Sequence, residues 1–106
     1  MGFFDMFSHR DINSGVEEFL SRPGALLLDV RSPSEYAAGH IPGSYNLPLS
    51  AIDKAVQVVE NKDTALYVYC QSGARSRQAA RALESMGYSN IKDLGGISAW
   101  RGKVEH

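Results

Sequence analysis

The chain has 106 residues, of which 43% are hydrophobic and 22% charged, with a formal net charge of −1. This length and composition predict one globular domain spanning residues 1–106. The near-balanced charge gives no reason to expect a nucleic-acid partner or an acidic membrane surface. A single cysteine excludes an internal disulfide and a Cys-x-x-Cys metal or redox pair, and it is typical of a reducing compartment, so we expect a cytoplasmic protein.

The amino-terminal residues carry little structural signal. Residues 1–7 are apolar, but Asp5 interrupts them and they are shorter than the apolar region of a signal peptide. We therefore expect residues 1–8 to be an extension whose phenylalanine rings cover an edge of the core. A mature form whose export signal was removed stays open as an alternative.

Short apolar runs then alternate with helical patterns. A brief strand is expected at 10–13, followed by a helix over 14–21 that stops at Pro23 and Gly24. Residues 25–30 form a continuous apolar run, which is typical of a strand buried on both faces.

The next segment contains the clearest helix signal of the chain. Ser32 and Glu35 have the spacing of a capping box, and Pro33 stands at the first helical position. Together they predict a short helix that ends near Gly39. A turn and a short strand at 44–47 are expected to follow.

The second half of the chain continues the alternation. Ser50 is expected to cap a helix that reaches residue 59, and the apolar run 65–69 predicts the next strand. The remaining expected elements are a helix at 75–86, a last strand at 91–94 and a helical turn at 97–101. Strands alternating with helices predict an α/β fold with a central parallel five-stranded sheet and helices on both faces.

Cys70 is the candidate nucleophile. It follows the strand at 65–69, at the edge of a parallel sheet where ligands bind, and the next six residues include no large apolar side chain. A loop of this kind that leads into a helix gathers backbone N–H groups around an anion or a thiolate. Helix N termini and nearby arginines favour the thiolate, which is the reactive form of cysteine. A buried structural cysteine is the alternative.

Three arginines follow Cys70 closely, namely Arg75, Arg77 and Arg81. The dipole at a helix N terminus disfavours cations, so an anionic ligand or a thiolate explains these residues better than helix stability does. Arg75 is the expected anion-binding residue because its planar fork suits an oxyanion. A solvated helix face is the alternative for the outer two.

No obvious second catalytic group accompanies the cysteine. His40 lies among turn residues and stays open as the partner of a Cys–His dyad, whereas Asp29, Arg31 and Glu35 are expected to form a structural ion-pair group. No cluster of His, Asp and Glu has metal-ligand spacing, so we expect no metal and no other cofactor.

Three ordered motifs resemble the signatures of rhodanese domains. The first resembles their N-terminal signature and reads Asp29-Val30-Arg31-Ser32-Pro33-Ser34-Glu35-Tyr36, continuing to Gly39-His40-Ile41-Pro42-Gly43. Residues 70–76 resemble their active-site loop, and Leu94-Gly95-Gly96-Ile97-Ser98-Ala99-Trp100 resembles their C-terminal signature. The resemblance covers about residues 11–102. Within the family, the chain resembles the free-standing single-domain type.

The resemblance implies a thiosulfate sulfurtransferase. Such an enzyme moves sulfane sulfur from thiosulfate or a persulfide donor to a thiol or cyanide by double displacement, here through a persulfide on the catalytic Cys70. The substrate-binding loop that it implies consists of Gln71, Ser72, Gly73, Ala74, Arg75 and Ser76. The implied partners are a small anionic sulfur donor and a thiol or dithiol-protein acceptor.

Two other functions stay open. Phosphatases and arsenate reductases of related folds use a Cys-x5-Arg loop, whereas here only four residues separate Cys70 from Arg75. The tighter loop favours a single sulfur over a tetrahedral oxyanion. A non-catalytic sulfur-carrier or regulatory rhodanese module is the second alternative, although such modules usually lose the cysteine that this chain retains.

Overall fold

A parallel sheet forms the centre of the computed structural model, which describes residues 11–106. Its strands are β1 Leu26–Asp29, β2 Ser44–Asn46, β3 Leu66–Cys70 and β4 Ile91–Gly96. Their order in the sheet is β2-β1-β3-β4, and every neighbouring pair is parallel. The expected α/β fold with a parallel sheet is therefore confirmed.

The expected fifth strand at 10–13 is wrong for the residues that the structure describes. Ile12 and Asn13 begin helix α1 (Ile12–Leu20), and the Asp11 side chain caps it by accepting a hydrogen bond from the Asn13 N–H at 3.0 Å. An aspartate at this position satisfies one of the free N–H groups of a first helical turn, which favours a helix over a strand. Residues 11–106 thus contain four strands rather than five; the proposed extension at 1–8 lies outside the described residues.

Helices cover both faces of the sheet. Besides α1 they are α2 Pro33–Ala38, α3 Ala55–Val58 and α4 Ala74–Ser85, with short 3-10 helices at Leu49–Lys54 and Ile97–Ala99. Of the helices formed by residues 11–106, none has the length and apolar character needed to cross a membrane.

The capping box before α2 is confirmed. The Ser32 hydroxyl accepts a hydrogen bond from the Glu35 N–H at 3.2 Å, and the Glu35 carboxylate accepts one from the Ser32 N–H at 3.0 Å. These two bonds satisfy N–H groups that the helix leaves unpaired, and they fix the position of the Glu35 side chain.

The predicted start of the helix capped by Ser50 is wrong. A 3-10 turn already begins at Leu49, after Pro48, and no side chain caps it. The Leu49 N–H donates to the Val30 carbonyl at 3.0 Å, so the chain bends here because it is tied to the end of the sheet. Ser50 consequently lies inside the turn.

The two faces of strand β3 reach two separate parts of the core. Leu66, Val68 and Cys70 pack in the cluster that contains α3 and α4, whereas Tyr67 and Tyr69 pack in the cluster that contains α1. β3 is an inner strand with neighbours on both sides, so its last residue, Cys70, is placed at the centre of the carboxyl edge of the sheet.

Candidate active site

Cys70 lies beneath the loop that connects β3 to α4. Its side chain is almost fully buried, with 1% of the residue exposed, and its Sγ accepts a hydrogen bond from the Gly73 N–H at 3.0 Å. Gly73 caps α4 with a positive φ of 114°, a conformation that residues with a Cβ rarely adopt. The glycine therefore lets the chain turn back over the sulfur and direct an N–H group at it.

The loop rests on the end of strand β4. Cys70 pairs with Gly96 in the sheet, and a Cβ at Gly96 would overlap the carbonyl oxygen of Gln71 and lie 2.6 Å from the Cα of Ser72. The Ser98 N–H also donates to the Gln71 carbonyl at 3.2 Å. A glycine is needed at 96 because the two backbones approach too closely for a side chain.

The expected substrate-binding residues occupy different environments. Gln71, Ser72 and Ala74 are exposed, whereas Gly73 and Ser76 are buried. The Ser76 hydroxyl contacts the Asp93 carboxylate at 2.7 Å and the Gly73 carbonyl at 3.0 Å. Its hydroxyl thus connects α4 to β4 beneath the loop, a position that supports the loop rather than presenting the hydroxyl to a ligand.

Arg75 does not stand free at the mouth of the loop. Its Nη1 and Nη2 donate to the two carboxylate oxygens of Glu35 at 2.7 and 3.0 Å, a bidentate ion pair in which both side chains are about one-third exposed. The hydrogen bond from Arg75 is the main cause that lowers the pKa of Glu35 to about 2, and the Ser32 N–H adds to it. The same bond raises the pKa of Arg75, and the electrostatic attraction of Glu35 adds to that rise. The guanidinium of Arg75 is thus held by the Glu35 carboxylate.

A second ion pair supports the loop from the sheet. The buried Arg31 side chain donates to the Asp29 carboxylate through Nε and, at 2.7 Å, through Nη2. It also reaches the Gly39 carbonyl at 2.7 Å and the Gln71 side chain at 3.3 Å. The expected structural ion-pair group is therefore present for Asp29 and Arg31.

Sequence reasoning missed the direct partner of Glu35. Its carboxylate is hydrogen-bonded to Arg75, which is 40 positions away in the chain, whereas it acts on Arg31 only through electrostatic attraction. The signature motif contains both Arg31 and Glu35, but no local pattern in the sequence indicates which cation the carboxylate meets.

The ring of His40 contacts Tyr36 of the preceding helix α2 rather than the thiol. Its Nδ1 donates to the Tyr36 carbonyl at 2.9 Å, and its ring stacks on the Tyr36 ring with centroids 3.7 Å apart. A Cys–His dyad with Cys70 thus receives no support from its contacts.

The outer arginines, Arg77 and Arg81, line an open groove between α4 and β4 with Glu84 and Asp93. No residue of the loop at 70–75 lines this groove, so these two arginines are separate from the thiol. In residues 11–106, no group of three or more His, Cys, Asp or Glu side chains could hold a metal ion.

The chain matches the sequence model of a known domain family. The model of the Rhodanese-like domain matches residues 13–103 of the chain. The chain belongs to the rhodanese-like domain family. The three motifs that resemble rhodanese signatures all fall within the matched residues, which confirms the resemblance.

Curated rhodanese-like relatives include proteins named for sulfur transfer. A sulfurtransferase of Allochromatium vinosum is 38% identical over 96 residues, which cover 90% of this chain and 89% of that protein. Thiosulfate sulfurtransferase PspE of Escherichia coli is 35% identical over 71 residues, covering 66% of this chain and 68% of that protein. Adenylyltransferase and sulfurtransferase uba4 of Ogataea parapolymorpha is 33% identical over 97 residues. This match covers 91% of this chain but only 25% of that longer protein.

A solved rhodanese-like structure has the same fold. The Alr3790 protein from Anabaena superimposes with a TM-score of 0.79 at 31% identity, and the match covers 90% of this chain and 79% of that chain. Together with the names of the relatives, the family supports a sulfurtransferase or sulfur-carrier role.

Proposed function

We propose that the protein is a sulfurtransferase that carries sulfane sulfur as a persulfide on Cys70. Thiosulfate or a persulfide is the proposed donor, and a thiol, a dithiol protein or cyanide is the proposed acceptor. The observation that carries the proposal is the hydrogen bond from the Gly73 N–H to Cys70 Sγ at 3.0 Å beneath the loop. A backbone donor aimed at a lone thiol at the start of a twelve-residue helix favours negative charge on sulfur.

The first half-reaction needs no protein acid. The Cys70 thiolate attacks the outer sulfur of thiosulfate, a new S–S bond forms to Sγ, and the old S–S bond breaks with its electron pair leaving on sulfite. Reactants and products both carry three negative charges, so no proton is transferred. Within residues 11–106 no histidine is hydrogen-bonded to Cys70, which is compatible with this chemistry.

The loop supplies the stabilisation instead. The new terminal sulfur is negatively charged, and we place it among the N–H groups of the loop and the first turn of α4, where the helix dipole favours an anion. Arg75 lies in the first turn of α4, which directly follows the turn over Cys70. Its guanidinium is proposed to attract the anionic donor.

The second half-reaction regenerates the thiol. A thiolate acceptor attacks the terminal sulfur, the S–S bond to Sγ breaks, and the electron pair returns to Cys70. With cyanide as acceptor, the product is thiocyanate. The two half-reactions share one covalent intermediate, so ping-pong kinetics are expected. A free thiol that must be regenerated is proposed to work in a reducing compartment such as the cytoplasm.

Intact-mass measurement tests this proposal. Incubation of the wild-type protein with thiosulfate is expected to add the mass of one sulfur atom, which a reducing thiol or cyanide then removes. Because Cys70 is the only cysteine, Cys70→Ser is expected to gain none. An unchanged wild-type mass, or an equal gain in Cys70→Ser, contradicts the proposal.

The near-complete burial of Cys70 favours a second candidate, a sulfur carrier with little turnover of small molecules. A thiol with 1% of its residue exposed can be reached only where the loop opens a path. Such a carrier is expected to take up sulfur once but to release it slowly to small acceptors. Steady-state turnover with thiosulfate and cyanide distinguishes it from the enzyme.

A further inference from the structure

The Glu35 carboxylate is held on two sides at the mouth of the loop. Its Oε1 accepts hydrogen bonds from the Ser32 N–H at 3.0 Å and from Arg75 Nη1 at 2.7 Å, and its Oε2 accepts one from Arg75 Nη2 at 3.0 Å. The helix cap therefore fixes the carboxylate in front of the guanidinium fork.

The capping role of Glu35 does not require its charge. A capping box works equally with glutamine, because one side-chain oxygen suffices to accept the bond from the capping residue. The second oxygen and the negative charge of Glu35 are directed at Arg75 instead. The acidic side chain thus has a role beyond the start of α2.

This pairing removes most of the positive charge that the loop would otherwise present. Among residues 11–106, the two arginines whose side chains are seen at the loop are bound to carboxylates, Arg75 to Glu35 and Arg31 to Asp29. A donor can meet Arg75 by displacing Glu35 from the fork or by using the remaining N–H groups beside it. In either case, a fixed carboxylate repels a dianion more strongly than a monoanion.

We propose that Glu35 is a specificity-determining residue that acts through Arg75: by offsetting the charge of the guanidinium, it favours singly charged sulfur donors over dianionic ones. This inference rests on the proposed function, because it concerns the donor used by Cys70. It makes Glu35 a positioning residue, since its side chain acts on Arg75 and not on the reacting sulfur.

Two donors that differ in charge but share the same reacting bond provide the test. Thiosulfate is a dianion, and methanethiosulfonate is a monoanion in which a methyl group replaces one charged oxygen. With cyanide as the common acceptor, kcat/KM for each donor reports only the first half-reaction. It is measured for the wild-type protein and for Glu35→Gln, which retains the capping oxygen but not the charge.

Glu35→Gln is expected to raise kcat/KM for methanethiosulfonate about threefold and for thiosulfate about tenfold. The interaction energy with a fixed charge is proportional to the charge of the donor, so the factor for the dianion is about the square of that for the monoanion. A change in loop structure alone would alter both values by the same factor.

Two matched variants control for net charge and for side-chain identity. Glu60→Gln removes one negative charge from an exposed position ahead of β3, at the opposite edge of the sheet, and is expected to leave both values unchanged. Glu35→Asp retains the charge and is expected to keep the wild-type ratio of the two donors.

The salt dependence of kcat/KM tests the inference on the wild-type protein alone, so this test does not depend on the folding of a variant. If Glu35 offsets Arg75, thiosulfate kcat/KM is expected to fall less than about twofold between about 0.02 and about 0.2 M salt, because little net attraction remains to be screened. A steep fall overturns the inference.

The kinetics of the Glu35→Gln variant test the same inference. Equal factors for the two donors in Glu35→Gln, or a lower thiosulfate value, overturn the inference, the latter because Glu35 would then orient Arg75 for the anion. Failure of the wild-type protein to take up sulfur at all overturns the proposed function itself, and it is recognised separately by intact mass.

Discussion

Two arginine–carboxylate pairs hold the same loop, but they differ in their exposure to solvent. The Arg31 and Asp29 side chains are 4% and 0% exposed, and Arg31 also bonds the Gly39 carbonyl and Gln71. The Arg75 and Glu35 side chains are 37% and 34% exposed. The buried pair is surrounded by fixed polar partners, whereas the pair at the rim faces the water through which a donor arrives.

The difference in burial assigns the two pairs different roles. Removing one member of a buried pair leaves an uncompensated charge in the protein interior, so such a pair is strongly coupled to folding. An exposed pair contributes little to folding because water screens it. It can therefore be rearranged by an anion at small cost. The comparison makes Arg31 a structural residue and Arg75 a residue of the proposed chemistry.

The largest expected effect comes from breaking the buried pair. Asp29→Asn is expected to lower the free energy of unfolding by about 3 to 5 kcal/mol, because the Arg31 guanidinium keeps its charge without a carboxylate. Urea unfolding measures the loss. A cycle with Arg31→Met is expected to show coupling well above that of the Glu35–Arg75 pair, and equal coupling in the two pairs would remove the distinction drawn from burial.

A smaller effect, on activity rather than on folding, is expected at the rim. Arg75→Ala is expected to lower kcat/KM for thiosulfate about tenfold or more, since charge-assisted hydrogen bonds to the donor are lost and Glu35 is left unpaired beside the loop. The loss for methanethiosulfonate is expected to be smaller. The free energy of unfolding is expected to change by less than about 1 kcal/mol.

The double variant Glu35→Gln, Arg75→Ala is the control for this prediction. It is expected to recover part of the thiosulfate activity, because the unpaired carboxylate is removed along with the arginine. Equal losses for the two donors in Arg75→Ala would show that the residue does not respond to donor charge.

The local parts of this fold were predictable from the sequence. The capping box of α2 and the buried strand that ends at Cys70 depend on residues adjacent in the chain, and both were predicted close to their observed bounds. The same local reasoning was wrong at Asp11. There a short polar and apolar run suggested a strand, although its aspartate caps α1.

The non-local parts of the site could not be obtained in this way. The Glu35–Arg75 pair joins residues 40 positions apart, and the Ser76 hydroxyl is buried against Asp93 of β4. Periodicity along the chain predicts which face of a helix is apolar, but it does not indicate which polar side chain of a distant segment lies opposite. Both contacts depend on the order of the strands in the sheet.

The smallest expected effect is the response of the rim pair to acid. The pKa of Glu35 is lowered from 4.5 to about 2, chiefly by Arg75, so the folded carboxylate binds its proton less readily than the unfolded one. The stabilisation that this shift provides is therefore complete above about pH 4.5 and is lost as the pH falls towards 2. Because both side chains are one-third exposed, solvent screening limits it to less than about 1 kcal/mol.

Comparing the wild-type protein with Arg75→Ala isolates the contribution of the Glu35–Arg75 pair to the pH dependence of stability. Hydrogen bonds from Asn13 and Lys92 also lower the pKa values of Asp11 and Glu18, but both groups are present in the two proteins and their effects cancel in the difference. Urea midpoints at about pH 5.5 and about pH 3 are expected to show the wild-type advantage at the higher pH and its narrowing at the lower. An advantage that is constant or grows in acid would mean that Arg75 stabilises the fold through contacts other than the Glu35 carboxylate, and the rim pair would then resemble the buried one.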